Sequence, residues 1–112
     1  MAAVNGTPPF DIDRVSMTAT AWTDMVVGDG FRRVTVRNET VPGVGANRVR
    51  VGSPSASGAF VSTHRYVDLG PGESLTINLG GGDAQAPLSA RTLKISVDTN
   101  PTVVSFTQER AA

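Results

Sequence analysis

The chain has 112 residues, ten basic and ten acidic side chains, a single histidine and no cysteine. That is the length of one small domain able to bury its own core, without the basic excess of proteins that wrap nucleic acid or lie on anionic membranes. The lack of cysteine excludes disulfides, zinc–thiolate sites and cysteine nucleophiles, and one histidine (His64) excludes a multi-histidine metal site.

Fifteen Val and twelve Thr stand against one Lys, with 12 Gly and 7 Pro. Val and Thr suit a pleated, half-buried surface, and Gly and Pro punctuate it. Residues 1–14 read as an extended N-terminal arm, because Pro8 and Pro9 lack amide donors and favour extended neighbours. The start has neither a basic n-region nor an apolar h-region, so it does not read as a secretory signal. Residues 15–112 read as a single β-sandwich domain.

Alternation begins at Val15 to Ala21, with Val15, Met17, Ala19 and Ala21 on one face. Met25 to Val27 is expected to form a hairpin with Phe31 to Arg37 across the turn signal Gly28-Asp29-Gly30. Val34 and Val36 point inward, and Phe31, out of phase with them, predicts a bulge. Residues 38–47 form a Gly/Pro loop, and in Arg48-Val-Arg-Val51 the valines face in. Residues 52–58 form a loop of small polar residues, and Ala59 to Thr63 reads as a short strand. In Leu69-Gly-Pro-Gly-Glu-Ser74, Pro71 presets one φ and Gly72 supplies the positive φ of a type II turn. Glu73 to Leu79, Thr92 to Val97 and Thr102 to Gln108 complete the set. Their inward residues are Leu75, Ile77 and Leu79, then Leu93, Ile95 and Val97, then Val104 and Phe106. Aspartate at Ile77 or Ile95 is therefore expected to prevent folding. Pro87 limits residues 83–90 to one helical turn at most. The expected class is all-β: a small antiparallel β-sandwich or barrel with an extended N-terminal arm.

Catalytic chemistry finds little to build on. His64 lacks a Gly-x-Ser-x-Gly partner and reads as a lone surface histidine. Asp11 and Asp13 present alternate carboxylates without a calcium loop. Gly80-Gly-Gly-Asp83 lacks the Gly-Lys-Ser/Thr of a phosphate loop and reads as a connector. Arg33 and Arg37, like Arg48 and Arg50, read as solvated faces balanced by acids. Asn5-Gly-Thr7 and Asn38-Glu-Thr40 match the glycosylation sequon and are read as chance. Trp22 is either a core anchor or an interface contact. No catalytic, cofactor or metal residue is assigned.

One pattern covers about two thirds of the chain: Val34-Thr-Val-Arg-Asn38, Arg48-Val-Arg-Val-Gly52, Leu69-Gly-Pro-Gly-Glu-Ser-Leu-Thr-Ile77, Leu93-Lys-Ile-Ser-Val-Asp-Thr99 and a terminal Val-rich strand. It resembles small virion proteins of tailed bacteriophages, most closely capsid decoration (cement) proteins. The resemblance implies a non-enzymatic β-sandwich, made in the bacterial cytoplasm and located on the capsid exterior. The implied partner is the major capsid protein, and the implied state on the shell is a homo-oligomer, commonly a trimer, without nucleic acid or membrane. The residues expected to touch the capsid are Thr7, Pro8, Pro9, Phe10 and Trp22. The alternatives are a tail, head–tail joining or fibre-base protein, and, from another class, a carbohydrate-binding or adhesion module.

Overall fold

A computed structural model describes residues 10–18, 20–28, 31–79, 91–99 and 101–110. The alternation of the sequence becomes eight strands: β1 (Phe10–Met17), β2 (Thr23–Val26), β3 (Phe31–Asn38), β4 (Val49–Gly52), β5 (Tyr66–Leu69), β6 (Ser74–Asn78), β7 (Thr92–Val97) and β8 (Thr102–Arg110). They form two antiparallel four-stranded sheets, ordered β1-β8-β3-β6 and β2-β7-β4-β5. The chain is all-β, as its period-two pattern requires.

The registers show why each residue type sits where it does. Val36 stands opposite Phe106 on one side and Leu75 on the other, and Ile95 lies between Val51 and Thr23. Side chains on one sheet face therefore fall into rows, and the middle of the inner face of each sheet is apolar. Val34, Val36, Val49, Ile95, Val97 and Val104 are fully buried and form the centre of the core. Removing a Val or Ile side chain of this kind from water contributes about 1.5–3 kcal/mol.

The outer face of the first sheet is polar and paired around β3, with Ile12 and Val103 exposed toward its β1 edge. Arg33 meets Glu109 at 3.2 Å, Arg37 meets Glu39 at 3.4 Å, and Thr35 bonds Thr76 between hydroxyls at 2.9 Å. Exposed pairs of this sort contribute about 0–1 kcal/mol each, so they keep the face soluble more than they hold it. On the second sheet, Arg48 bonds Asp68 at 2.8 Å and Lys94 reaches Asp24. The bond to Asp68, with that carboxylate's charge, holds the Arg48 guanidinium above its ordinary pKa.

Several expectations change. The first strand begins at Phe10, so residues 10–14 of the expected arm are paired to β8, from Phe10 opposite Glu109 to Arg14 opposite Ser105. Pro9 is the last residue before β1 without an amide donor, and pairing starts directly after it. Residues 1–9, with the arm residues Thr7, Pro8 and Pro9, lie outside the described residues, as do the connector 80–83, the single turn expected in 83–90 and the Asn5 sequon. At its other end the first strand stops at Met17, because the chain there leaves the first sheet for the second.

Met25 and its neighbours do not form a hairpin with β3. They pair with β7 in the opposite sheet, Met25 opposite Leu93. Both segments carry apolar inner faces, and they meet across the core instead of side by side. The crossing is tied down by Val27 N–H donating to Arg91 O at 2.9 Å and Gly28 N–H donating to Gln108 Oε1 at 2.7 Å. The bulge lies where the phase slip of Phe31 indicates, as a register shift between Phe31 and Arg33. Ala59 to Thr63 is not a strand but part of a covering loop. The turn at 70–73 has Gly72 at φ +78° and Glu73 N–H bonded to Gly70 O at 3.0 Å.

Candidate interaction surfaces

At one end of the sandwich, the loop after β3 is built on a buried asparagine. Asn38 closes β3 facing inward, opposite Val104, and is wholly buried. Its Nδ2 donates to Asn47 O at 2.7 Å and Leu69 O at 3.0 Å, and its Oδ1 accepts from Thr40 N–H at 3.0 Å. Every polar atom of that side chain is thus engaged, which also leaves no room for a glycan on the Asn38 sequon. Asn47 continues the network, its Nδ2 donating to Pro101 O and to Thr102 Oγ1. Gly43 at φ +82° and the bonds from Val44 N–H and Gly45 N–H to Val41 O fold the tip. The tip displays Val41, 59% exposed, and Val44, 83% exposed. Sequence reasoning passed over both. Their signal was two valines in a Gly/Pro loop with no strand face to serve.

The second surface covers the outside of the β2-β7-β4-β5 sheet. Residues 53–65 leave β4 and fold back over that face, with Trp22 N–H bonded to Gly58 O at 2.9 Å. Trp22 lies beneath this loop, outside the main core. Its ring packs on Gly52, where a Cβ would stand 2.7 Å from the indole, and its neighbours are Phe60, His64 and Tyr66. Trp22 Nε1 donates to His64 Nδ1 at 2.8 Å, and Val61 N–H reaches the same nitrogen at 3.3 Å. His64 is therefore half-buried and structural, not the lone surface histidine expected. The Arg50 guanidinium lies 3.7 Å over the Phe60 ring and bonds Ser96 Oγ, so one arginine of the expected solvated stripe caps an aromatic face. Of the two roles weighed for it, Trp22 fills the buried one, as the anchor of a satellite cluster that fastens the loop to the sheet and not as part of the main core.

The third surface is a slot at the side of the sandwich where β5 faces β6. It holds about 380 Å³ and is lined by Val51, Val67, Leu75 and Ile77, with Arg65 and Tyr66 at its rim. Ile77, expected in the core, is only half-buried here, because among the described residues no strand covers β6 on that side. Of the expected contact residues, Phe10 opens β1 in the first sheet, and Trp22 is enclosed against Gly52 of the second. Asp11 and Asp13 lie on exposed β1, and among the described residues no three His, Asp or Glu side chains gather as a metal site would need.

No family model matches the chain, and no curated protein matches it. Among solved structures, a chain described under "Bacillus endospore appendages form a novel family of disulfide-linked pili" is similar at 14% identity. That similarity covers 99% of this chain and 97% of that one, with a TM-score of 0.37, which is a likeness of outline only.

Proposed function

We propose that this chain is a capsid decoration protein of a tailed bacteriophage, which binds the outside of the assembled shell and stabilises it. The supporting observation is the loop tip at Val41 and Val44. Two apolar side chains are held out to water on a loop whose base is fixed by the buried Asn38 network. Apolar groups displayed on a rigid support suit a contact made without reorganisation. A ligand that binds only the assembled lattice adds free energy to that lattice by mass action, and several copies on one shell gain avidity. In this reading the capsid contact moves from Trp22, which is enclosed, to the tip of the 39–47 loop.

The test is co-sedimentation of the protein with purified expanded shells, alongside a Val41→Asp, Val44→Asp double variant. Wild-type protein should pellet with shells and not with free capsid subunits. The variant should melt normally and pellet at least tenfold less. Failure of wild type to pellet with shells, together with its presence on purified tails, transfers the protein to the tail. Binding to a glycan array with no affinity for virions establishes the adhesion module instead.

A further inference from the structure

The sandwich has two open sides between its sheets, and they are built differently. On one side β1 faces β2. There the register sets Asp11 opposite Gln108 and Asp13 opposite Phe106, so both carboxylates lie on the inward row of an edge strand. Met25, Val27 and Phe106 fill that side until only about 20 Å³ remains. Inward-pointing charge on an edge strand opposes the addition of another strand.

On the other side β5 faces β6, and the inward residues Val67, Leu75 and Ile77 are all apolar. Val67 belongs to the inner face and is still 46% exposed. Among the described residues both strands are last in their sheets, so each offers there an edge of backbone donors and acceptors. One side of the molecule is guarded against an added segment, and the other is shaped to take one.

The sequence supplies a matching segment. Residues 1–9, Met-Ala-Ala-Val-Asn-Gly-Thr-Pro-Pro, carry no charged side chain and begin with four apolar residues. Pro8 and Pro9 favour an extended chain, and nine extended residues reach about 30 Å. This segment enters the fold at Phe10, on the edge of the first sheet farthest from β6. Three inter-strand spacings, about 14 Å, separate those edges. The strand that carries the segment and the slot lie on opposite edges of the sandwich, so a second copy can present its slot directly to the segment.

We infer that residues 1–9 of one copy occupy the β5–β6 slot of a second copy, adding to a free strand edge and placing Val4 among Val67, Leu75 and Ile77. Donor and acceptor lie on opposite edges, so the contact is head-to-tail and produces a ring where the rotation closes and a filament where it does not. This inference is independent of the capsid reading, since it concerns the free protein.

Light scattering after size exclusion at about 100 µM should give wild type a mass at least twice the 11.6 kDa of one chain. Deletion of residues 2–9, and separately Val67→Lys, should each return the mass to one chain while cooperative melting is kept. Because the chain has no natural cysteine, the double variant Val4→Cys, Ile77→Cys should oxidise to a ladder of covalent oligomers. A synthetic peptide of residues 1–9 should shift the methyl resonances of Val67, Leu75 and Ile77 in the deletion variant, which gives a readout even where Val67→Lys fails to fold. A monomeric wild type, an oligomer that survives the deletion, crosslinking confined to single chains, or unmoved methyl resonances at millimolar peptide would each overturn the inference.

Discussion

Replacing Asn38 by alanine tests the argument that one buried amide joins β3, the 39–47 loop and the end of β5. The substitution removes two donors and one acceptor at 2.7, 3.0 and 3.0 Å, leaving Asn47 O, Leu69 O and Thr40 N–H without that partner. Each lost hydrogen bond costs about 1 kcal/mol net, and more where the orphaned group stays buried. The Leu69 bond is fully buried, so the sum is about 3–4 kcal/mol. At this chain length a loss of 1 kcal/mol lowers Tm by about 4 °C, which gives about 12–16 °C. Urea titration should show the midpoint falling with the slope unchanged, the mark of lost stability in an intact fold. Asn38→Asp separates the donors from the acceptor. It keeps an oxygen for Thr40 N–H but turns a carboxylate toward two carbonyl oxygens in a wholly buried place, so at neutral pH it should be worse than alanine. A Tm within about 4 °C of wild type for either variant would refute the assignment of Asn38 as the joint.

Gly52→Ala places a Cβ 2.7 Å from the Trp22 ring; a loss of about 1–3 kcal/mol and a red-shifted tryptophan emission are expected, and unchanged emission counts against the packing described. His64→Ala strips Trp22 Nε1 of its acceptor and should cost about 1–3 kcal/mol, with Val61 amide exchange accelerating; equal exchange in both proteins would show the bond to be dispensable. Ile95→Asp buries a charge in the fully enclosed centre of the core and should abolish cooperative melting, at a cost of about 4 kcal/mol or more. Ile77→Asp, at the open slot, should lose less than about 2 kcal/mol, so equal damage from both would mean that the slot is closed. Gly72→Ala forces a Cβ onto a positive φ of 78° and should cost about 1–2 kcal/mol in thermal melts.

What the sequence discloses follows from what period two can carry. Val34 and Val36, Val49 and Val51, Leu93, Ile95 and Val97, and Val104 and Phe106 all lie inside as their alternation requires. Alternation assigns a side chain to a face but does not say which strand lies alongside. Met25 therefore reads as a hairpin partner of β3, yet it pairs with Leu93 in the other sheet. Nor does alternation distinguish a strand from a loop spread over a sheet. Ala59 to Thr63 reads as a strand because it is apolar at Ala59, Phe60 and Val61, yet Phe60 alone of the five turns in, to Trp22 and Tyr66, while its neighbours face water. The role of Asn38 and the display of Val41 and Val44 depend on three distant segments meeting at one end of the sandwich. No local pattern records such a meeting.

β8 lies between β1 and β3 in the first sheet, and Phe10 finds its partner at Glu109. Until residues 102–110 have left the ribosome, β1 has nothing to pair with and β3 has only β6. Pairings that span so much of the chain are slow to close. At about 5–20 residues per second of synthesis, the first strand waits seconds for its neighbour. The first sheet is therefore assembled only after β8 has emerged. A chain broken off before β8 lacks the strand that joins β1 to the rest, which makes synthesis through β8 a condition for the shape itself.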